Sequence, residues 1–320
     1  MTYKQLSTSI IYINENMINQ RIDNFLKKKF NNIPKSMIYR IIRIGQVRIN
    51  KKRIKPNYKL KIGDYIKIPP IKIAFKEKKN FHIKNNQKKK LNNILYEDNY
   101  LLIINKPSGL AVHGGSGLNF GIIEYFRKIR PLEKCLDLVH RIDRDTSGIL
   151  ILAKKRSSLI SMHEQIRNNK IKKEYIALVH GLWPYTLKKV SKPLLQINLK
   201  NKQKKMFIHK TGKPSLTYFK IKKQYTTTTL LSIFPKTGRT HQIRAHTCYS
   251  GHPILFDKLY GDTNLDKIVK NKINFNRLFL HANSIKFIHP KYGNILHIKA
   301  PLDLKIKNFL NILDKKYKSN

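Results

Sequence analysis

The chain has 320 residues, with 66 Lys or Arg against 18 Asp or Glu, which gives a formal net charge of +48. Such a charge favours a polyanionic partner, because clustered basic side chains release counterions when they neutralise phosphates; a genome biased towards Lys, Asn and Ile codons is another source of part of the excess. The two cysteines, Cys135 and Cys248, have no paired spacing, which argues against a disulfide framework or a zinc ribbon, and no apolar run approaches the length of a membrane span, so we expect a cytoplasmic protein.

Two short amphipathic helices and a small sheet are predicted near the N-terminus. Apolar residues recur at helical spacing from Ile22 to Phe30 and again from Pro34 to Gly45. Alternation of apolar and polar residues around Val47, and again from Gly63 to Ile68, predicts strands.

Basic side chains are concentrated on one side of this first unit. The helix that follows Pro34 turns its apolar residues inward, and the opposite side and the next hairpin are basic. A solvated basic surface is one interpretation. The order of elements, however, resembles the S4 RNA-binding domain, which places such a helix and hairpin on RNA backbone. We therefore expect an S4-like domain over residues 15–70, with these RNA-contacting residues: Lys35, Arg40, Arg43, Arg48, Lys52 and Arg53.

A basic linker is predicted over residues 71–92. Lysine runs at 76–79 and 88–90 lie among Asn and Gln without an apolar period, which is typical of a flexible segment. The second domain is expected over residues 93–315.

Strand-like runs dominate the second domain and are interrupted by helical stretches. A hairpin is predicted over residues 94–104 and another over residues 284–298, and no alternation of parallel strands with crossover helices emerges. The fold class is therefore predicted as α+β with a mixed, largely antiparallel sheet. The other predicted elements are helices over residues 122–129 and 159–166 and strands over residues 149–152, 174–179, 217–221 and 226–234.

A polar motif from His140 to Gly148 stands directly before the apolar run from Ile149 to Leu152. Together with Lys173-Glu-Tyr175 and the segment from Thr237 to His246, it resembles the central motif of the RluA family of RNA pseudouridine synthases. The resemblance covers nearly the whole chain. It also includes Asn105 to Gly109, Thr211 to Pro214, Gly251 to Pro253 and Leu278 to Ala282.

The resemblance implies a role for each residue of the motif. Asp143 would be the catalytic aspartate that attacks a uridine flipped out of the RNA, and Arg244 would keep its carboxylate ionised and in position. Tyr175 would stack on the uracil and assist removal of the proton from C5, and Arg141 would fill the vacated gap or hold the backbone. No cofactor is expected, because nothing is oxidised and no atom is gained or lost.

These residues also admit other interpretations. Asp143 and Arg244 would equally suit an internal ion pair. Asp145-Thr-Ser-Gly148 lacks the spacing and the second copy that an aspartic protease needs, and the segment from Val112 to Gly117 lacks the Gly-Lys-Ser/Thr of a nucleotide-binding loop. On a helix from Thr240 to Ser250, the candidate metal ligands would lie on different faces or at different positions along the helix axis. They could not converge on one ion, so no metal site is expected. Those ligands are His241, His246, Cys248 and His252.

The resemblance predicts an isomerase that converts several separate uridines of 23S ribosomal RNA to pseudouridine. Phe256, where many members have Gly, and the basic hairpin from Val47 to Pro56 favour the subgroup with that specificity, and Ile142 replaces a usual Leu. We expect a monomer whose partner is 23S ribosomal RNA or a large-subunit assembly particle, with no membrane. The alternatives are a sibling synthase acting on a different 23S helix and a catalytically silent S4-type RNA-binding or ribosome-assembly factor.

Overall fold

The computed structural model describes residues 3–15, 17–30, 33–74, 93–114, 121–133, 135–199, 204–270 and 275–318. The chain divides into two compact units, Met1–His82 with Lys155–Ser157, and Ile83–Lys154 with Ser158–Asn320. None of the helices in these ranges is long and apolar enough to cross a membrane.

The first unit contains the two predicted helices, packed on a small antiparallel sheet. Ile22, Leu26, Ile38 and Ile42 are at most 1% exposed, so the apolar positions of both helices form its core. The sheet has the strand order β2-β5-β3-β4. The elements are β1 Tyr3–Leu6, β2 Ser9–Tyr12, α1 Ile22–Lys29, α2 Lys35–Arg43, β3 Arg48–Ile49, β4 Lys52–Arg53, β5 Tyr65–Ile68 and β6 Ile71–Ala74.

The start of the predicted linker at residue 71 is wrong. Strand β6, Ile71–Ala74, pairs antiparallel with β1, Tyr3–Leu6. Ile71 is 2% exposed, so burial of its side chain and the ladder hydrogen bonds hold this segment in the first unit. The rest of the predicted linker, residues 75–92, lies outside the described residues.

The second unit is built on one ten-stranded sheet. Eight of its strands follow the order β12-β15-β16-β11-β17-β10-β8-β7, and the other two, β18 and β9, pair with β17 and β10. Among the described strands of this sheet, β10 and β17 form the one parallel pair, which confirms the mixed, largely antiparallel α+β prediction. The elements are β7 Ile94–Glu97, β8 Leu101–Lys106, α3 Ile122–Ile129, β9 Asp137–Leu138, β10 Ser147–Ala153, α4 Arg156–Arg167, β11 Lys172–His180, β12 Lys189–Ser191, β13 Leu194–Asn198, β14 Lys204–Ile208, β15 Leu216–Gln224, β16 Thr228–Pro235, α5 Gln242–Tyr249, α6 Thr263–Lys270, β17 Leu280–Ile288, β18 Ile295–Lys299 and α7 Leu304–Lys318.

Helices α6 and α7 were not predicted. In α7 the lysines obscure the apolar period, but Ile306 and Phe309, three residues apart, are 0% and 1% exposed. Phe309 packs its ring against Phe275 and Phe279, with centroids 4.9 and 5.6 Å apart. The helix therefore depends on aromatic packing from distant parts of the chain, which local periodicity does not reveal.

The central strand β17 brings the motif residues together. Ser147 and Gly148, which follow the Asp143 loop, pair with His281 and Ala282 on one side of β17, and Tyr175 of β11 pairs with Ala282 on the other side. Gly148 has φ +106°, and a Cβ at this position would lie 2.2 Å from the Ala282 carbonyl oxygen. Only glycine permits this close approach of the two strands.

Candidate active site and nucleic-acid interface

Asp143 and Arg244 are brought together as predicted. An Nη1 hydrogen of Arg244 is donated to Oδ2 of Asp143 over 3.1 Å, although 101 residues separate them in the chain. The Asp143 side chain is 24% exposed, and that of Arg244 is 8% exposed. The carboxylate is thus reachable from solvent while its partner is held inside the protein.

A second carboxylate, Asp257, holds the guanidinium of Arg244 from the other side. The Nε and Nη2 groups of Arg244 donate to Oδ2 and Oδ1 of Asp257, each over 2.7 Å, which is the bidentate geometry that fixes a guanidinium most firmly. The Asp257 side chain is 0% exposed. Its Oδ1 also accepts backbone N–H groups of Leu259 and Tyr260, over 3.0 and 3.1 Å, so Asp257 is itself fixed.

The charge of Arg244 is therefore secure. Burial alone would lower its pKa, but the hydrogen bonds and charges of Asp257 and Asp143 outweigh burial and raise the pKa above the ordinary value. The guanidinium also lies 5.0 Å from the ring centroid of Tyr260, a cation–π contact. Arg244 presents a permanent positive charge to Asp143.

Sequence reasoning missed Asp257, although it directly follows Phe256, which was singled out as a departure from the family pattern. An acidic residue directly after that departure from the family pattern was the available signal. Phe256 adopts φ +58°, in the left-handed region where the usual Gly is favoured. The Phe256 ring packs against the Phe275 ring, with 5.5 Å between the ring centroids, and this packing offsets the backbone strain.

Tyr175 lies where three apolar clusters of the second unit meet, and it is partly buried. Burial, and secondarily the negative charge of Asp143, raise the pKa of the Tyr175 hydroxyl above its ordinary value. The phenol therefore remains protonated at physiological pH.

The loop that carries Asp143 is held by the segment Lys106 to Gly109. The Ser108 hydroxyl donates to the Asp145 carbonyl over 2.6 Å, and the Gly109 N–H donates to the Arg144 carbonyl over 2.9 Å. The Asp143 carbonyl accepts the Thr146 N–H over 3.2 Å. The residues next to the reactive carboxylate thus have their backbone positions set by hydrogen bonds.

Lys106, whose role sequence reasoning missed, is 0% exposed. Its amino group donates to the carbonyls of Pro107, Leu110 and Arg144, each over 2.9 Å. Burial lowers the pKa of Lys106 to about 7, and the charges of Asp145 and Asp143 oppose that shift. The available signal in the sequence was a lysine at the end of an apolar strand, because a buried amino group needs hydrogen-bond partners nearby.

The residues that begin the motif differ in exposure. Arg141 is exposed, two positions before Asp143, so it is available to RNA. Burial lowers the pKa of His140 to about 3 and keeps its ring neutral, and its Nε2 accepts the Ile151 N–H over 3.2 Å. His140 therefore has a structural position rather than an acid–base one.

The histidines considered as metal ligands serve other contacts. His241 bonds through Nδ1 to the Tyr260 hydroxyl over 3.1 Å, and its Nε2 lies 3.9 Å from Oδ2 of Asp143. His246 is 0% exposed and bonds to the hydroxyls of Ser215 and Thr217. Within the described ranges, no group of three His, Cys, Asp or Glu side chains is placed to hold a metal ion.

The basic surface of the first unit contains all six residues proposed to contact RNA. Each of them is exposed, and Arg40 and Arg43 of α2 line a groove of about 400 Å³ with Tyr39 and Lys55. Lys35 begins α2, and its amino group lies 5.1 Å from the ring centroid of Tyr39. The six are Lys35, Arg40, Arg43, Arg48, Lys52 and Arg53.

A row of cations crosses three strands of this unit. Arg48 of β3 lies opposite Arg53 of β4 on one side and opposite Lys67 of β5 on the other. All three are exposed. Like charges directly opposite each other are destabilising, so this row is better suited to binding an anion than to stabilising the sheet. Lys67 was not among the predicted contact residues.

Comparisons with known proteins agree with both units. The family model described as RNA pseudouridylate synthase matches residues 100–248, and the S4 domain model matches residues 20–66. Ribosomal large subunit pseudouridine synthase C of Buchnera aphidicola subsp. Schizaphis graminum is 70% identical over 313 residues, covering 98% of this chain and 100% of the relative. The protein of the same name from Escherichia coli (strain K12) is 50% identical over 309 residues, covering 96% of this chain and 97% of the relative.

Among solved structures, Human RNA Pseudouridylate Synthase Domain Containing 4 superposes with a TM-score of 0.59 at 24% identity, covering 71% of this chain and 95% of that one, which supports the fold. The predicted S4 domain, the predicted family and the predicted class of isomerase are thereby confirmed. The chain belongs to the RluA-type family of RNA pseudouridine synthases and carries an S4 domain in its N-terminal part.

Proposed function

We propose that this enzyme isomerises several separate uridines of 23S ribosomal RNA to pseudouridine, with Asp143 as the catalytic residue. The observation that carries the proposal is the hydrogen bond from Arg244 to Asp143, in a chain 70% identical to a ribosomal large subunit pseudouridine synthase C. A partly exposed carboxylate beside a buried, fixed guanidinium suits attack on a nucleotide brought into the site.

The reaction needs no added group. The Asp143 carboxylate attacks the flipped-out nucleotide, the bond between C1′ and N1 breaks, and the uracil turns while it stays in the site. A bond then forms between C1′ and C5, the bond between Asp143 and the nucleotide breaks to restore the free carboxylate, C5 loses its proton, and N1 gains one. Atoms and electrons balance within the nucleotide and solvent protons, so the proposal includes no cofactor and no metal.

The neighbouring residues have distinct parts in this proposal. Arg244 holds Asp143 ionised and oriented, because its own position is set by the bidentate bond to Asp257. Tyr175 contributes its ring as a stacking surface for the uracil and assists removal of the proton from C5. Arg141 fills the gap left by the flipped nucleotide or holds the adjacent backbone.

The first unit is proposed to anchor the RNA through its basic surface, on free 23S ribosomal RNA or on a large-subunit assembly particle. The exposure of the six predicted basic residues and the cationic row through Arg48 support this assignment. We propose that the enzyme acts as a monomer in the cytoplasm.

Asp143→Asn tests the proposal. Its side chain is partly exposed, so we expect normal folding and RNA binding, but no pseudouridine in 23S RNA. The matched control is Asp137→Asn, which removes a carboxylate that pairs with Arg127 on the surface and should leave activity intact. Pseudouridines are mapped by carbodiimide-dependent stops of reverse transcription, in cells with each variant.

The same map decides between the possible outcomes. Pseudouridines in the Asp143→Asn strain at the wild-type level would refute the catalytic assignment. Modification confined to a different 23S helix would replace the proposed specificity with that of a sibling synthase. Absence of any change on deletion of the gene would favour the RNA-binding or assembly role without catalysis.

A further inference from the structure

A large chamber lies beside the reacting carboxylate in the second unit. It has a volume of about 1010 Å³ and is lined by Arg244 and Asp257 on its inner side. The Nη1 group of the same Arg244 donates to Asp143, so the guanidinium of Arg244 lies between the chamber and the reacting carboxylate. Neither Asp143 nor Tyr175 lines it.

Three lysines stand at the mouth of this chamber. Lys258 follows Asp257, and Lys305 and Lys307 belong to the first turn of α7. All three are exposed, and within the described ranges none has a carboxylate oxygen within 4.0 Å of its amino group. These three lysines line one chamber without a carboxylate partner in the described ranges, and we call them the lysine mouth.

The acidic groups that line the chamber do not neutralise the lysine mouth. Asp257 is engaged by Arg244, and Asp303 is engaged by Arg277. Asp145 lies 3.3 Å from Nε of Arg144. Because every carboxylate in the lining already has an arginine partner, the lysines remain available to an external anion.

The inner surface of the chamber is partly apolar, with Phe256 and Leu278 among its walls. An apolar wall with a cationic entrance suits a nucleotide, since a base or ribose can pack inside while a phosphate stays at the entrance. The N-terminal turn of α7 adds the positive end of the helix dipole beside Lys305 and Lys307.

We propose that the lysine mouth binds a backbone phosphate of the substrate RNA next to the target uridine, and that the chamber accommodates the nucleotide that carries it. The inference rests on the proposed function and deepens it, because it supplies a strand-positioning site within the catalytic unit itself. Phosphate contacts set the register of a strand without reading its sequence.

The test is a triple variant, Lys258→Gln with Lys305→Gln and Lys307→Gln, assayed on a 23S ribosomal RNA transcript. We expect KM to rise about 10- to 100-fold with kcat changed less than about twofold, because the lost contacts act equally on bound substrate and transition state. The slope of log affinity against log salt should fall by about 0.7 to 0.9, as expected for loss of one phosphate contact. The matched control changes three exposed lysines that do not line the chamber: Lys128, Lys188 and Lys291.

A KM and a salt slope equal to those of the control would overturn the inference. Failure of the proposed function is distinguishable, because then the wild-type protein forms no pseudouridine, while the two triple variants can still be compared by filter binding of the same transcript. If the test variant folds poorly, lysine acetylation of the wild-type chain replaces it, read by mass spectrometry.

In that measurement, micromolar transcript should slow acetylation of Lys258, Lys305 and Lys307 at least about fivefold relative to Lys128. Inorganic phosphate at millimolar concentration is the second arm. Protection by the transcript alone supports a strand phosphate, whereas equal protection by inorganic phosphate, or none by either, contradicts the inference.

Discussion

Asp257 is the residue whose replacement tests the architecture of the site most directly. Asp257→Asn keeps the shape of the side chain but removes its charge, and it places an amide NH₂ where Arg244 and two backbone N–H groups donate. The guanidinium of Arg244 is then left inside the protein with Asp143 alone. Because breaking a buried ion pair typically costs about 3–5 kcal/mol, we expect the free energy of unfolding to fall by about that amount.

The catalytic effect follows from orientation. Without the bidentate bond to Asp257, the guanidinium is free to rotate, and the Asp143 carboxylate loses a fixed partner. A displacement of about 1 Å in a reacting group is enough to slow a reaction about 100-fold. We expect kcat to fall by that order with little change in KM, because RNA contacts elsewhere are untouched.

Urea unfolding followed by fluorescence measures the stability of the second unit, because Trp183 is the one tryptophan of the chain and is 1% exposed. Single-turnover assays at saturating enzyme give the rate. Asp137→Asn is the control, since its pair with Arg127 is near the surface and should contribute less than about 1 kcal/mol. An Asp257→Asn protein with wild-type stability and rate would refute the reasoning.

Three further outcomes follow from the structure. Tyr175→Leu should lower kcat/KM about 10- to 100-fold, because aromatic stacking on a base is worth about 1–3 kcal/mol; steady-state kinetics on a 23S transcript check this, and an unchanged value would remove Tyr175 from the site. The double variant Arg48→Ala with Arg53→Ala should weaken RNA binding and flatten its salt dependence. It should not lower the stability of the protein, because it relieves a like-charge pair. Filter binding and thermal unfolding measure the two effects, and an unaltered salt slope would exclude phosphate contacts at these arginines. For Lys106, the folded pKa of about 7 lies below the ordinary 10.5, so the unfolded chain binds more protons between these values and stability should rise with pH from about 7 upwards. Relative to Lys106→Met, the wild type should gain roughly 2–3 kcal/mol between pH 7 and 9.5 in urea titrations, and parallel pH profiles would contradict the burial of this amine.

Much of the fold was predictable because its elements have strong local periods. The helices α1 and α2 and the hairpin of β7 and β8 have clear apolar patterns, and each appears close to its expected bounds. Helix α7 was missed because its lysines obscure the pattern and its stability comes from packing by Phe309 against distant aromatic rings. The linker was predicted too early because the pairing of β6 with β1 joins opposite ends of the first unit.

The sequence by itself determined the charge of the protein, the identity of its motifs and the three residues Asp143, Tyr175 and Arg244 as candidates, since these depend on residue type and local order. Tertiary structure alone decided that Asp257 holds Arg244, that Lys106 is buried among carbonyls and that Tyr175 lies where three apolar clusters meet. The physical reason is that burial and hydrogen-bond partners depend on sheet order and register. Strand β17 pairs on one side with the strand that follows the Asp143 loop and on the other side with the strand that carries Tyr175. These segments are far apart in the sequence, so local patterns do not reveal that they are neighbours.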